Sequence, residues 1–237
     1  MEKINLSFFV PCFNEENNII KTLNDIKEGA KHINYEVLVA DDASKDKTVE
    51  MVEKFKIDNP NEDIKIFRNR NNRGIGHNFW EITNKASGKY YMTVTGDACL
   101  PPSEITKIVN AIGKADVVLT PFKDKRGFFR QIVSRTFVFI INLITLNKIK
   151  YYNGANIYLL EDIKLCKNRG SGFGYQAELV AFQIRQGKTY IEIEIDPTLG
   201  SSGASQSLNP RNIPSVIGSI ISILLNQIIY FSKKIFK

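Results

Sequence analysis

The feature that most constrains this chain is an alternation of short, almost purely apolar runs with segments of helix length. Runs at 4–10, 35–40, 64–67, 89–95 and 117–120 are followed by amphipathic stretches at 15–29, 46–56, 76–87, 102–113 and 127–146. A strand that is apolar at successive residues has both faces buried, as in a parallel sheet covered by helices on both sides. The rhythm predicts an α/β fold with a Rossmann-like, mostly parallel central sheet flanked by helices. It changes near 153–160, where another short strand is expected, with a helix to follow over about 174–186. The run Tyr190-Ile191-Glu192-Ile193-Glu194-Ile195 alternates strictly, which predicts a strand with one buried and one wet face. A Gly/Ser-rich stretch over 199–207 has the composition of a lid or linker.

The 237 residues are 43% hydrophobic and 24% charged, which excludes a disordered chain, a collagen and a long coiled coil. One large α/β domain, or one domain plus a small appendage, is expected at this length. The three cysteines, Cys12, Cys99 and Cys166, are too scattered for a disulfide framework or a paired-cysteine zinc site, so a reducing compartment is expected. Residues 6–10 are too short for the apolar region of a signal peptide, and Pro11, Asn14 and Glu15 follow at once.

The C-terminus is different. Residues 212–232 carry no charge, Arg211 precedes them, and Lys233, Lys234 and Lys237 follow. The length matches a bilayer crossing, while Gly218, Asn226, Gln227 and several serines dilute the apolarity. Three arrangements stay open: a helix lying in the membrane interface, one packed on the domain, and one that spans. The segment 123–150 sets seven cations against the single acid Asp124 around the apolar run 137–144. Such a segment rests on an anionic membrane or forms a core helix with a wet face; with the C-terminal stretch beside it, the membrane reading is preferred. The net charge of +7 does not point to nucleic acid, because the excess has no aromatic platform and no helix-turn-helix around it. His32 and His77 are too isolated for a zinc site.

In open parallel sheets, ligands bind outside the carboxyl ends of the strands. Here those ends read Pro11-Cys12-Phe13-Asn14-Glu15, Asp41-Asp42-Ala43-Ser44, Arg68-Asn69-Arg70-Asn71-Asn72-Arg73-Gly74, and Gly96-Asp97-Ala98-Cys99. One polar end is an ordinary helix cap, as Asp46 is expected to be. Four on one edge mark a site. Asp41 and Asp42 are adjacent carboxylates that need donors, from a ligand or from the backbone. The cations and glycines of 70–76 at a helix start favour phosphate. Asp97 is a candidate metal ligand.

In their order and spacing, these motifs resemble family 2 glycosyltransferases. Within that family they are most similar to the polyprenyl-phosphate (dolichol-phosphate) mannosyl- and glucosyltransferase branch. The likeness runs through Val10–Asn17, Tyr35–Ser44, Asn72–Gly76 and Gly88–Asp97, then more loosely through Gly174–Leu179 and Tyr190–Ile195. It implies a GT-A fold over residues 1–208, with a nucleotide-sugar half at 1–120, an acceptor half at 121–208 and a C-terminal apolar helix at 209–237. It implies that Pro11, Asn14, Glu15, Asp41 and Asp42 hold the nucleoside of a nucleotide-diphosphate sugar, and that Arg73 and Gly74 lie near ribose and phosphates. Asp97 matches the first acid of a DxD motif and would hold Mg²⁺ or Mn²⁺. Arg126, Arg130, Ser134 and Gln176 match the acceptor side. Glu178 would position the sugar, or act as base if the acceptor is a hydroxyl.

The resemblance further implies an inverting transferase at the cytoplasmic face of the membrane. Its partners would be a UDP- or GDP-sugar and a lipid phosphate or saccharide acceptor, with no nucleic acid. A degenerate, non-catalytic binding module is the remaining alternative. The sequence departs from the pattern at Cys99, where the second DxD acid is usual, and at Leu199 and Gln206, where an Arg and a Lys are usual. A further usual Arg falls near Pro121-Phe122.

Overall fold

A computed structural model describes residues 4–122, 127–198 and 212–235. The chain runs β1 (Leu6–Cys12), α1 (Ile19–Ala30), β2 (Tyr35–Asp41), α2 (Thr48–Asp58), β3 (Ile64–Arg68), α3 (Ile75–Thr83), β4 (Tyr90–Thr93) and α4 (Pro102–Val109). It continues with β5 (Val117–Leu119), α5 (Phe128–Thr145), β6 (Ile157–Leu159), α6 (Leu160–Leu165), α7 (Tyr175–Arg185), β7 (Tyr190–Glu192) and α8 (Ile213–Ile235). Seven strands form one sheet in the order β3-β2-β1-β4-β6-β5-β7.

Alternate residues of the central strands feed two cores, one on each face. Phe8, Val10, Val37, Val39 and Met92 pack towards α1, α2 and α4, with Leu23, Ile26, Val52, Phe55 and Ile105. Phe9, Leu38, Tyr91, Val117 and Leu119 pack on the other face with Phe79, Trp80, Ile141, Tyr158 and Leu179. This double burial is why the strands read as unbroken apolar runs. β1, β2, β3 and β4 are parallel, while β6 lies antiparallel between β4 and β5. Hydropathy carries no information on strand direction, so this reversal is invisible in the rhythm. β7 pairs parallel with β5 at the edge, and Ile191, Ile193 and Ile195 turn to the first core, as strict alternation requires.

α5 is fastened to the domain through its C-terminal half. Phe137, Val138, Ile141 and Ile144 pack on the second core, and the Asn142 side chain bonds both backbone groups of Ile149 while accepting from Tyr152 Oη. α8 packs against α5 and α7, burying a stripe of Ser219, Ile223 and Gln227 at i, i+4 spacing. The outer sides of both helices stay apolar and exposed, through Phe128, Phe129, Phe139 and Leu143 on α5 and Ile217, Ile221, Leu225 and Ile228 on α8. Both are long and apolar enough to cross a membrane by length and composition. The C-terminal helix thus packs on α5 and α7 through one stripe while its outer side stays apolar and exposed.

The amino edge of the sheet is locked by one buried carboxylate. Glu36 accepts hydrogen bonds from Ser7 Oγ (2.6 Å), the Ser87 N–H (2.6 Å) and Lys65 Nζ (2.7 Å), tying β1, β2, β3 and the start of β4 together. Burial alone would raise its pKa; these bonds outweigh that and hold the carboxyl below the usual glutamate range. Glu36→Ala should therefore lower the unfolding free energy by about 3 kcal/mol at neutral pH, read by urea denaturation. The wild-type advantage should fade as the pH falls through the depressed native pKa, because the unfolded chain takes up the proton first.

Candidate active site

The carboxyl edge is built from three strained turns stitched together by side chains. Asn14, Ala43 and Ala98 follow β1, β2 and β4 in the left-handed region, with φ of 56°, 67° and 55°. For each alanine that conformation costs about 1 kcal/mol, so neighbouring contacts must hold it. The contacts are present. Asn14 receives Lys45 N–H on Oδ1 (2.9 Å) and donates its own N–H to Ser44 Oγ (2.9 Å). Glu15 N–H donates to Thr48 Oγ1 (2.8 Å), Glu16 N–H to Asp46 Oδ2 (3.0 Å), and Ala98 N–H to Thr22 Oγ1 (3.0 Å). Asp46 also accepts from Thr48 N–H, so its expected capping role is met.

The adjacent pair Asp41 and Asp42 is satisfied by the protein itself. Asp42, almost wholly buried, accepts from Arg73 N–H, Gly74 N–H and Asn69 Nδ2, each at 2.8 Å. Gly74 adopts φ 85° to present its N–H this way. The Asp41 side chain is fully covered and accepts from Ser44 N–H, while Arg68 Nε stands 3.3 Å away. Backbone N–H groups meet both acids, joined by the Asn69 and Arg68 side chains. These acids thus shape the site's wall.

In front of that wall lies a cleft of about 670 Å³, lined by Phe13, Ala43, Ser44, Lys45 and the segment Arg68–Asn72. The size matches a small-ligand site. The half-exposed Phe13 ring offers a stacking face, and Lys45, Arg68 and Arg70 give the lining a cationic character with no carboxylate among the lining residues. Arg70 was among the cations that the sequence marked for phosphate, whereas Phe13, Lys45 and Arg68 were given no role from sequence. Their signal was position, since each lies at or just after a strand end.

Asp97 closes the neighbouring strand end. Gly96 N–H bonds Pro11 O (3.0 Å), which brings the Asp97 turn against β1, and Thr95 Oγ1 donates to Asp97 Oδ1 (2.6 Å). The Glu15 carboxyl is raised by burial, against a lowering bond from Asn18, and further by the charges of Asp97 and Asp46. A cation beside Asp97 would relieve that repulsion, so a hard divalent ion fits. Among the described residues no cluster of three or more His, Cys, Asp or Glu could hold a metal alone. The Cys99 thiol is pushed up to about 12 by burial and then by Asp97, so it is neutral and a poor ligand for Mg²⁺ or Mn²⁺. Asp97 would therefore hold a metal jointly with ligand oxygens. The chain leaving β7 also ends here, with Thr198 N–H on Cys99 O (2.8 Å). Leu199, Gly203 and Gln206 lie outside the described residues.

The second-half residues sit apart from this cleft. Gln176 is buried, its Oε1 accepting from Asn156 Nδ2 and Tyr158 Oη, so it braces the wall between β6 and α7. Glu178 is covered by α8. Ser222 Oγ donates to its Oε2 (3.1 Å), and burial raises its pKa against the bonds from Ser219 and Ser222. Arg130 and Ser134 lie one turn apart on α5, and Arg126 lies outside the described residues.

A cationic cleft on the carboxyl edge that also carries Asp97 is where an open α/β sheet takes an anionic ligand. The profile of glycosyl transferase family 2 matches residues 7–171, and the chain belongs to that family. Among curated relatives, dolichol-phosphate mannosyltransferase of Pyrococcus furiosus is 26% identical over 152 residues, 61% of this chain and 42% of that protein. Dolichyl-phosphate beta-glucosyltransferase of Dictyostelium discoideum is 24% identical over 170 residues, 63% of this chain and 52% of that protein. The chain thus spans about half the length of these relatives. Among solved structures, glucosyl-3-phosphoglycerate synthase from Mycobacterium tuberculosis, in complex with Mn²⁺, uridine diphosphate and glucosyl-3-phosphoglycerate, superposes with a TM-score of 0.70 at 14% identity. It covers 94% of this chain and 80% of its own. That likeness shows the fold.

Asp42→Ala should free the Arg73 and Gly74 amides. We expect a loss of about 2 kcal/mol in urea unfolding, with faster amide hydrogen exchange at those two positions than at β1.

Proposed function

We propose that the protein transfers a hexosyl group, with inversion, from a nucleotide-diphosphate sugar to a polyprenyl phosphate at the cytoplasmic face of the membrane. The observation that supports this reading is Asp97, which follows β4 on the same carboxyl edge as the cationic cleft. The nucleoside lies in the cleft, its base against Phe13, within the wall of Pro11, Asn14, Glu15, Asp41 and Asp42. The diphosphate runs past Arg73 and Gly74 to Asp97. Mg²⁺ or Mn²⁺ held there supplies charge neutralisation of the leaving diphosphate. The Mn²⁺ and uridine diphosphate in the solved relative, and the lipid-phosphate names of the curated relatives, support this assignment.

The acceptor phosphate oxygen attacks C1 from the face opposite the diphosphate. The C1–O bond breaks and its electron pair leaves with the nucleotide. A phosphate oxygen is already anionic, so no base is required, which agrees with Glu178 lying bonded beneath α8. Arg130 and Ser134, with Arg126, would hold the acceptor phosphate. The exposed apolar faces of α5 and α8 would enter the leaflet, with Arg135, Lys148, Lys233 and Lys234 meeting anionic headgroups.

A second reading, transfer to a saccharide hydroxyl, draws on the raised pKa of Glu178, which suits a base once α8 moves. Transfer assays with UDP- and GDP-sugars, a short polyprenyl phosphate and a saccharide acceptor separate the two. Asp97→Ala should lower transfer at least about 100-fold, and Glu178→Gln should retain transfer to the phosphate. Full activity of Asp97→Ala would refute the assignment. Selective loss of saccharide transfer in Glu178→Gln would favour the second reading.

A further inference from the structure

A second cavity, of about 220 Å³, lies where the C-terminal ends of α5, α7 and α8 meet, and nothing in the transfer reaction uses it. Thr145, Leu146 and Asn147 close it from α5, Ala181, Ile184 and Arg185 from α7, and Gln227, Tyr230 and Phe231 from α8. Two of its polar groups are unsatisfied. Arg185 Nη1 is buried with no hydrogen-bond partner, and burial lowers the pKa of that guanidinium, with only the Cys166 thiol acting in the other direction. Gln227 is 6% exposed, and its buried Oε1 has no donor. A half-buried cation and a buried acceptor lining one cavity are each costly unless something fills it.

The surroundings define the occupant. The cavity opens between two helices whose outer sides are exposed and apolar, with Leu146, Ile228 and Ile229 more than half exposed. Lys148 follows the lining residue Asn147 in sequence, and Lys234 lies one turn beyond the lining residue Tyr230 on α8, so two further cations stand close along the chain to lining residues. Tyr230 is an aromatic of the kind found at the membrane–water boundary. The ligand must bring an anion to Arg185, a donor to Gln227 Oε1, and apolar chains to the helices around it.

We propose that this pocket binds the headgroup of an anionic glycerophospholipid that carries a hydroxyl beyond its phosphodiester, as phosphatidylglycerol does. The phosphodiester pairs with the Arg185 guanidinium, and the headgroup hydroxyl donates to Gln227 Oε1. The acyl chains run along α5 and α8. The site is separate from the nucleotide cleft and from Arg130 and Ser134, and it does not depend on the transfer reaction.

The test is vesicle co-sedimentation of the full chain with phosphatidylcholine vesicles, doped equally with phosphatidylglycerol or with phosphatidylmethanol. Phosphatidylmethanol carries the same charge and no headgroup hydroxyl. Wild type should prefer phosphatidylglycerol. Arg185→Gln should weaken binding to both doped vesicles about tenfold, and Gln227→Leu should abolish only the preference between them. Nucleotide binding should be unchanged in both variants, which also verifies that they fold. Equal wild-type affinity for the two anionic lipids would overturn the proposal. So would a loss in Arg185→Gln no larger than in an exposed control, Lys85→Gln, which would indicate diffuse surface charge. Thermal stabilisation by inorganic phosphate that depends on Arg185, with no preference for phosphatidylglycerol vesicles, would assign the pocket to free phosphate and overturn the lipid source.

Discussion

The carboxylate of Asp42 carries the candidate site. It stands at the end of β2 and gathers the backbone of a loop thirty residues on, holding the N–H groups of Arg73 and Gly74 and the amide of Asn69. A charge buried this deeply is tolerated because three donors meet it. Asn69 in turn donates to Asn78 Oδ1 at 2.6 Å, which sets α3 against the same turn. With the Asn14–Ser44–Lys45 bonds, this makes the three turns at the carboxyl edge one rigid rim. The cationic cleft is lined by Ala43, Ser44 and Lys45 of that rim together with Phe13 and Arg68–Asn72.

The fold was legible in the sequence to the extent that burial writes itself into apolar patterning. Each strand fed both cores through alternate residues, so β1, β2, β4 and β5 stood out as unbroken runs. Asn14, Asp42, Arg73 and Asp97 stood out as candidates because ligands gather at strand carboxyl ends and each of them follows a strand, while Pro11 lies one residue inside the end of β1. What patterning cannot express is who pairs with whom. The antiparallel course of β6, the commitment of Asp41 and Asp42 to backbone donors, and the burial of Gln176 against Asn156 and Tyr158 are long-range contacts with no local signature. Glu178 illustrates the same limit. On α7 it reads as a polar residue at a helix start, but its partner Ser222 lies 44 positions away on α8.

The two halves of the molecule divide the physical work. The first half is polar at its carboxyl edge, where Lys45, Arg68 and Arg70 line a cleft with no carboxylate in its lining. The second half turns two apolar helices outward and keeps its polar groups beneath them. α8 joins the two roles, since its inner serines bond Glu178 while its outer side stays apolar.

The central claim is that Asp97, without a second acid at Cys99, suffices to couple a divalent ion to a nucleotide diphosphate. Thermal unfolding with UDP and with GDP, each with and without Mn²⁺, tests it most directly. At a ligand concentration a hundredfold above Kd, binding stabilises the native state by about 2.7 kcal/mol. The account predicts such a shift with one of the two nucleotides, only when Mn²⁺ is present, and its loss in Asp97→Ala. A shift of equal size without metal, or no shift with either nucleotide, would contradict it.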